Sequence, residues 1–298
     1  MDNKLLIFFK LLRAKQWVKN GFIIFPLIFS GQLYQMNLWT TCWLTFWGFC
    51  FISSSVYILN DFMDAPKDRQ HPEKSKRPLA QKKFSTMQVF LLIPSIMAVG
   101  LFLCLKADAM ILFLGIFYIL LHLVYNFYVK GLVILDVIFI AAGFQIRIWA
   151  GSFAAGVLPS VWLQMCVFLL ALFLGFTKRR HEISSLKSHA PEHRSVLAHY
   201  TTYLLDQIII ICSTLTIVFY GLYAISPEIM LRNHGHSLIY SIVFVIYGIF
   251  RYLYLVHVKR LGDDPGELMF SDKPLMINIS LWMLYIIVML YSSIQSVR

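Results

Sequence analysis

Three aspartates are regularly spaced in one short segment, residues 60–83, which reads NDFMDAPKDRQHPEKSKRPLAQKK. Asp61, Asp64 and Asp68 follow Asn60 in the pattern N-D-x-x-D-x-x-x-D. In an α-helix, residues three, four and seven positions apart lie on the same face, so the three carboxylates are expected on one side of a helix. A row of carboxylates is repulsive unless it binds a cation, and Mg²⁺ is usually held by one or two carboxylates together with water and phosphate oxygens. The spacing therefore predicts a Mg²⁺ site, with Asp61 and Asp64 as metal ligands, that binds a diphosphate.

A proline lies between the second and third aspartates of this segment. Pro66 disfavours helical conformation at Ala65 and lacks a backbone N–H group, so the helix is expected to kink or end there. Asp68 is then expected on the following turn, which makes Asp61 and Asp64 the better candidates for metal ligands. The alternative interpretation is a solvated acidic helix end whose carboxylates balance the lysines beyond it.

Cationic residues follow the aspartates directly and recur in a second segment. Arg77 is the candidate for a phosphate contact in the first segment, because the arginine fork suits bidentate binding of phosphate oxygens. The second segment, FTKRRHE at residues 176–182, places Lys178 and Glu182 four positions apart on one helical face, with Arg179 beside them. A surface ion pair between Lys178 and Glu182 is the alternative interpretation.

Long apolar stretches separate these segments. The 298 residues are 59% hydrophobic and 14% charged, with a mean hydropathy of +0.70, whereas about a quarter of the residues of a typical soluble domain are charged. Several stretches approach the ~20 apolar residues that a helix needs to cross a bilayer, and the alternation expected of membrane-barrel strands is absent. The sequence therefore predicts an all-α polytopic membrane protein. Its nine predicted transmembrane helices lie near residues 20–36, 38–60, 87–105, 108–127, 132–152, 160–177, 205–225, 237–257 and 274–294.

The distribution of cations predicts the orientation in the membrane. Residues 1–19 contain an apolar run that Lys10, Arg13, Lys15 and Lys19 interrupt, so this segment is predicted to be an interfacial amphipathic helix. Most of the 26 Lys and Arg residues fall in this segment and in the loops after every second span. The positive-inside rule places that side, and with it the N-terminus, in the cytoplasm.

The whole chain, residues 1–298, is predicted to form one transmembrane domain with two cytoplasmic active-site loops, 61–86 and 178–204. The asymmetry of the cations accounts for much of the net charge of +11, so no nucleic-acid binding is predicted. Asp136 and Arg147, eleven positions apart within the fifth span, are expected to form a structural pair or to snorkel outward rather than to contact a cytoplasmic ligand.

Several motifs together resemble one known family. Nine spans with N-D-x-x-D-x-x-x-D after the second resemble the UbiA superfamily of intramembrane prenyltransferases, which are helical bundles with a Mg²⁺-dependent site facing the cytoplasm. The resemblance to the decaprenyl-phosphate phosphoribosyltransferase branch rests on five stretches: RAKQWVKNGFIIFPLIFSG, NDFMDAPKDRQHPEKSKRPLA, YNFYVKGLVILDV, FTKRRHE and DDPGELMFSDKPL. Together they extend over nearly the whole chain.

The resemblance implies a reaction, its partners and a set of site residues. The reaction is transfer of 5-phosphoribose from phosphoribosyl pyrophosphate to a polyprenyl phosphate, with Mg²⁺ as cofactor and diphosphate as product, at the cytoplasmic face of the plasma (inner) membrane. The residues implied for metal and diphosphate, with the aspartates as catalytic residues, are Asn60, Asp61, Asp64 and Asp68. Those implied for phosphates are Arg77, Lys130, Lys178 and Arg179, with Lys15, Lys19, Tyr125 and Glu182 in support.

The second basic segment distinguishes two branches of the superfamily. Aromatic prenyltransferases have a second Asp-rich motif after the sixth span, which suits two Mg²⁺ ions and a prenyl diphosphate, and this chain has cations there instead. That difference favours a sugar diphosphate donor and a lipid phosphate acceptor, although Gln81 and Arg180 depart from the branch pattern. An aromatic prenyltransferase, for example one acting on 4-hydroxybenzoate, is the alternative function, and a non-enzymatic lipid or anion transporter is the third.

Overall fold

The computed structural model describes residues 4–70, 74–186, 195–232, 237–259, 261 and 265–292. Helices dominate these residues, and no β-strand occurs among them. The α-helices, numbered along the chain, are α1 (Lys4–Leu11), α2 (Phe25–Phe29), α3 (Met36–Asp68), α4 (Thr86–Ala107), α5 (Ala109–Val124), α6 (Leu135–Ala154), α7 (Val161–Leu186), α8 (Thr202–Ala224), α9 (Pro227–Arg232), α10 (Ile242–His257), α11 (Pro265–Ser271) and α12 (Lys273–Ser292). Between them lie a π-helical turn (Tyr125–Val129) and 3₁₀-helices at Ala14–Ile23, Lys74–Lys76, Ser195–His199 and Ile239–Ser241.

Within the described ranges, eight helices are long and apolar enough to cross a membrane: α3 to α8, α10 and α12. This confirms the prediction of an all-α polytopic membrane protein. The predicted count of nine spans is not confirmed, because residues 20–36 form no helix of spanning length.

The segment predicted as the first span is divided into short pieces. A 3₁₀-helix precedes α2, and Gly31 follows α2 with a φ of 77°. Pro26 lies in the first turn of α2, where its missing N–H group breaks no helical hydrogen bond, so it begins a new short helix. Asn20 is fully buried and accepts a hydrogen bond from Arg147 Nε of α6 at 2.7 Å. This polar contact ties the segment to the inside of the bundle.

The N-terminal segment predicted as one amphipathic helix also has two parts. The first helix, α1, ends at Leu11, and Arg13 turns the chain with a φ of 51°, in the left-handed region. The 3₁₀-helix Ala14–Ile23 then runs against α3 and α6. Arg13 thus lies at the junction between α1 and this 3₁₀-helix.

The longest helix, α3, carries the acidic motif and packs closely along α4. A Cβ atom at Gly48 would lie 2.7 Å from Cys104 Sγ, and one at Gly100 would lie 2.8 Å from the Gly48 carbonyl oxygen. The missing side chains therefore allow the two backbones to approach. The helix continues through Pro66 as far as Asp68, so the prediction that Asp68 lies beyond its end is wrong. Pro66 falls in the last turn, where the loss of one hydrogen bond does not stop the helix.

Buried apolar side chains form two main clusters, and α6 contributes to both. The first joins the 3₁₀-helix Ala14–Ile23 to α3, α4 and α5, with Ile146 and Ala150 from α6. The second joins α7, α8, α10, α11 and α12, with Val137 from the start of α6. Helix α6 therefore packs into both halves of the bundle.

Candidate active site

Two arginines contact the carboxylates at the C-terminal end of α3. Asp61 and Asp68 are only 4% and 5% exposed. Arg77 Nη1 donates to Asp61 Oδ1 at 2.9 Å and to Asp68 Oδ2 at 2.7 Å, so both carboxylates face one nitrogen atom. Arg13 Nε donates to Asp61 Oδ2 at 2.9 Å, and Arg13 Nη2 contacts the other oxygen of that carboxylate. Burial acts to lower the pKa of Arg13, but the charge and hydrogen bonds of Asp61 outweigh it, so the pKa is raised above its ordinary value.

The third carboxylate of the motif contacts a lysine. Asp64 is half-buried and accepts a hydrogen bond from Lys130 Nζ at 2.9 Å. Lys130 directly follows the π-helical turn Tyr125–Val129, which extends α5. A π turn changes the direction in which the following side chains point, and such turns are frequent at functional sites. The end of α5 thus places a cation beside the acidic end of α3.

A second group of charges joins the start of α6 to the end of α7. Arg179 is 2% exposed and donates from Nε to Asp136 Oδ2 at 2.7 Å and from Nη1 to Glu182 Oε2 at 2.8 Å. Tyr200 donates to Asp136 Oδ1 at 2.9 Å, and burial raises the pKa of Tyr200 to about 12, so it stays protonated at neutral pH. The backbone N–H group of Ile134, a residue with a φ of 68°, donates to the Tyr200 hydroxyl at 2.6 Å. Arg179 therefore bonds two carboxylates inside the protein.

The remaining predicted site residues lie on the same elements. Tyr125, the first residue of the π-helical turn, is close enough to Arg179 for an electrostatic interaction. Of the others, Lys15 is exposed, and those that are half-buried are Asn60, Lys19 and Lys178. In the two predicted active-site loops, residues 71–73 and 187–194 lie outside the described residues.

Three residues of these charge groups were not predicted as site residues: Arg13, Asp136 and Tyr200. In the sequence, Arg13 is one of several interfacial cations, and nothing in the pattern separates it from its neighbours. Asp136 does carry a signal, because an acid inside an apolar span is costly without a partner. That partner is Arg179, 43 residues away.

Arg147 forms a separate buried network. It is 3% exposed and donates to Asn20 Oδ1 at 2.7 Å, to the Gly143 carbonyl oxygen at 2.9 Å and to the Tyr118 hydroxyl at 2.8 Å. The expectation that Arg147 pairs with Asp136 or snorkels outward is therefore wrong. Neutral acceptors inside the bundle bind this guanidinium, and the bond to Asn20 joins the 3₁₀-helix to α6.

The donor chemistry of the acidic site suits Mg²⁺. One carboxylate oxygen of Asp61 and one of Asp68 both contact Arg77 Nη1, so the two oxygens point to the same place. Carboxylate oxygens are ligands that Mg²⁺ prefers. Within the part of the chain that the structure describes, no three His, Cys, Asp or Glu side chains are arranged to hold a metal ion. The carboxylates that this arrangement brings together are Asp61 and Asp68, whereas Asp64 contacts Lys130.

Fold and site together define an all-α integral membrane protein that gathers carboxylates and cations at the ends of its helices, an arrangement suited to phosphate-bearing ligands. The profile of the UbiA prenyltransferase family matches residues 23–272. The chain belongs to this family, as the motif resemblance predicts.

Similar proteins cover nearly the whole chain. The decaprenyl-phosphate phosphoribosyltransferase of Corynebacterium glutamicum is 28% identical over 287 residues, which are 95% of this chain and 86% of that protein. The protein of the same name from Mycolicibacterium smegmatis is 27% identical over 282 residues, 92% of this chain and 89% of its own. A UbiA homolog from Archaeoglobus fulgidus bound to DMAPP and Mg²⁺ has a TM-score of 0.70 at 16% identity, over 95% of this chain and 98% of its own. This last likeness is one of fold.

Proposed function

We propose that this protein catalyses Mg²⁺-dependent transfer of 5-phosphoribose from phosphoribosyl pyrophosphate to a polyprenyl phosphate, with release of diphosphate. The observation that carries the proposal is the charge arrangement. The carboxylates of α3 lie among Arg13, Arg77 and Lys130, and the end of α7 offers Lys178 and Arg179 in place of a second acidic motif. The phosphoribosyltransferases that match the chain over 95% and 92% of its length support the same reaction.

The balance of charges fits this substrate pair better than a prenyl diphosphate. The two substrates bring a diphosphate, a sugar 5-phosphate and a lipid phosphate. One acidic motif suits a single Mg²⁺ ion on the diphosphate, and the remaining negative charge requires lysine and arginine. Arg77, Lys130 and Lys178 are the proposed phosphate contacts, with Lys15 and Lys19 in support.

Arg179 is proposed to position other residues of the site and not to contact the substrate itself. Its guanidinium is buried between Asp136 and Glu182, so it is placed to fix the start of α6 against the end of α7. Because Lys178 is the residue before it, this fixed junction would also orient Lys178. Tyr125, which interacts with Arg179, begins the turn that leads to Lys130.

The proposed reaction is an inverting displacement at C1 of the ribose. Asn60, Asp61, Asp64 and Asp68 are the residues proposed to hold Mg²⁺ and the diphosphate, and the ion would offset the charge that develops on the leaving group. The bond between C1 and the diphosphate oxygen breaks, its electron pair leaves with diphosphate, and an oxygen of the lipid phosphate bonds to C1 from the opposite face. A phosphate monoester is already anionic near neutral pH, so the nucleophile needs no strong base. Positioning by lysine and arginine would then supply much of the acceleration.

Product analysis tests this function directly. Purified protein is incubated with Mg²⁺, polyprenyl phosphate and phosphoribosyl pyrophosphate, and the phosphoribosyl lipid is identified by mass spectrometry. Asp61→Asn and Asp64→Asn are each expected to lower product formation by on the order of 100-fold. Asp206→Asn is the matched control. The Asp206 carboxylate lies at the same end of the bundle but pairs with Arg180, so its removal should change the rate little. Absence of the lipid product, or equal activity in all three variants, contradicts the proposal.

An aromatic prenyltransferase is the second candidate, favoured by the shared fold of the A. fulgidus protein bound to DMAPP and Mg²⁺. A matched incubation with a polyprenyl diphosphate and 4-hydroxybenzoate separates the two functions. Formation of the prenylated acid, without any phosphoribosyl lipid in the first assay, would establish the second candidate instead.

A further inference from the structure

A cavity of about 280 Å³ lies between α1 and the turn that follows the acidic end of α3. Leu6, Ile7 and Lys10 line it from α1, and Lys76, Pro78 and Lys83 line it from the turn. Its volume is near the lower end of the range for small-molecule sites, which is about 300–1,000 Å³. It is large enough for a headgroup and too small for a whole lipid.

The two walls of this cavity are fixed to each other. Leu11 at the end of α1 and Leu79 in the turn are buried in one apolar cluster together with Ile58 of α3. The turn is closed by its own backbone, because the N–H group of Lys83 donates to the Pro78 carbonyl oxygen at 3.0 Å. The cavity is therefore part of the packed structure and not a gap between independent surface loops.

The lining combines positive charge with apolar surface. Three lysines line the cavity, and none of the described residues that line it is acidic. Leu6, Ile7 and Pro78 supply the apolar part. Such a lining is complementary to an anion that is attached to a hydrocarbon chain.

The position of α1 places the cavity at the membrane surface. Leu5, Leu6 and Phe9 are 63%, 54% and 43% exposed, although they are large and apolar. An amphipathic helix with such a face lies at the boundary between lipid headgroups and acyl chains, with its lysines among the headgroups. The opening of the cavity then lies at the depth of lipid phosphates, where Lys10 is well placed to bind them.

We propose that this cavity binds the phosphate headgroup of a membrane lipid. The site is distinct from the acidic centre but adjoins it through Arg77, which lies between the lining residues Lys76 and Pro78 and contacts Asp61 and Asp68. A bound headgroup would therefore lie directly behind the backbone that positions Arg77.

Lysine-dependent lipid binding is the expected result. The purified full-length protein in neutral detergent is titrated separately with phosphatidylglycerol, polyprenyl phosphate and inorganic phosphate, and binding is measured by native mass spectrometry. In the pocket variant, Lys10→Gln, Lys76→Gln and Lys83→Gln are combined, and lipid affinity is expected to fall at least roughly tenfold. The control variant combines Lys4→Gln, Lys67→Gln and Lys259→Gln, which remove the same charge from exposed positions outside the cavity, and it should retain the wild-type affinity.

The lipid arms identify the source of the phosphate. Lysine-dependent binding of phosphatidylglycerol assigns the cavity to a bilayer phospholipid and supports the proposal. Lysine-dependent binding of polyprenyl phosphate alone would place the three lysines in the acceptor site of the proposed reaction, and it would overturn a separate lipid site. Inorganic phosphate bound as tightly as both lipids, or the same loss in the pocket and control variants, would overturn it.

A double variant protects the test against misfolding. Lys76→Gln with Lys83→Gln leaves α1 unchanged and should still lose a large part of the binding, so wild-type affinity in a folded double variant counts against the proposal. Because phosphatidylglycerol is not a substrate of the proposed transfer reaction, its binding is independent of that reaction.

Discussion

Arg77 joins two buried carboxylates of the acidic site. Asp61 also contacts Arg13, whereas the contact found for Asp68 among the described side chains is Arg77. We expect Arg77→Gln to lower kcat/KM for the sugar donor by roughly 10- to 100-fold, because a hydrogen bond to a charged group contributes about 1.5–3 kcal/mol. Steady-state kinetics of phosphoribosyl lipid formation measures this. Arg69→Gln is the control, since Arg69 is exposed and its side chain bonds the Ala80 carbonyl oxygen; equal losses in both variants would contradict a specific role of Arg77.

The buried ion pairs of Arg179 are expected to contribute more to the stability of the protein than a partly exposed ion pair does. We expect Asp136→Asn to lower the free energy of unfolding by about 3–5 kcal/mol, because it leaves a buried guanidinium with one carboxylate in place of two. Thermal unfolding in detergent should show a midpoint several degrees lower. Arg180→Gln breaks the partly exposed pair with Asp206 and should cost about 0–1 kcal/mol. A midpoint for Asp136→Asn no lower than that of Arg180→Gln would show that this pair is not important for stability.

Local spacing predicts which carboxylates share a face, but it does not predict which cations meet them. Asp61, Asp64 and Asp68 are recognisable in the sequence because helical periodicity acts over a few residues. Arg13 lies 48 residues before its partner Asp61, and Lys130 lies 66 residues after Asp64. Those contacts depend on helix packing, which residue spacing within one segment does not encode.

At the scale of elements, the site depends on how the 3₁₀-helix Ala14–Ile23 packs on α6. A Cβ atom at Gly151 would lie 2.1 Å from the Ile23 carbonyl oxygen, a backbone atom that no side-chain rotation can move away. We expect Gly151→Ala to displace the 3₁₀-helix and with it Arg13 at its start, which should lower both the unfolding midpoint and the transfer rate, the latter at least about tenfold. Gly21→Ala is the control within the same 3₁₀-helix, because a Cβ atom there meets nothing within 4 Å. Equal behaviour of the two variants would exclude this packing contact as the cause.

The long apolar helices follow directly from hydropathy. The predicted span at residues 20–36, which does not form a spanning helix, is wrong for a physical reason. The segment around residues 20–36 is apolar enough to be predicted as a span. Its course is set by Asn20, which meets Arg147 in the bundle, and by Pro26, which starts a new helix. A hydropathy window averages over such a polar contact, because the partner is 127 residues away.

At the scale of the whole molecule, antiparallel helices bring the chemistry to one end of the bundle. The C-terminal ends of α3, α5 and α7 and the start of α6 carry Asp61, Lys130, Arg179 and Asp136. Ion pairs join these elements at that end, Lys130 with Asp64 and Arg179 with Asp136. The positive-inside rule predicts that this end faces the cytoplasm.

Cysteine labelling tests that orientation. Lys67 is exposed at the acidic end of α3, and Lys106 is exposed at the far end of α4, which runs antiparallel to α3. Four native cysteines are buried and Cys166 is half-buried, so a Cys166→Ser background should react weakly with a membrane-impermeant maleimide. In right-side-out vesicles we expect the reagent to label Lys106→Cys at once and Lys67→Cys only after permeabilisation. The reverse order would place the acidic site on the outer face, away from a sugar diphosphate donor supplied by the cytoplasm.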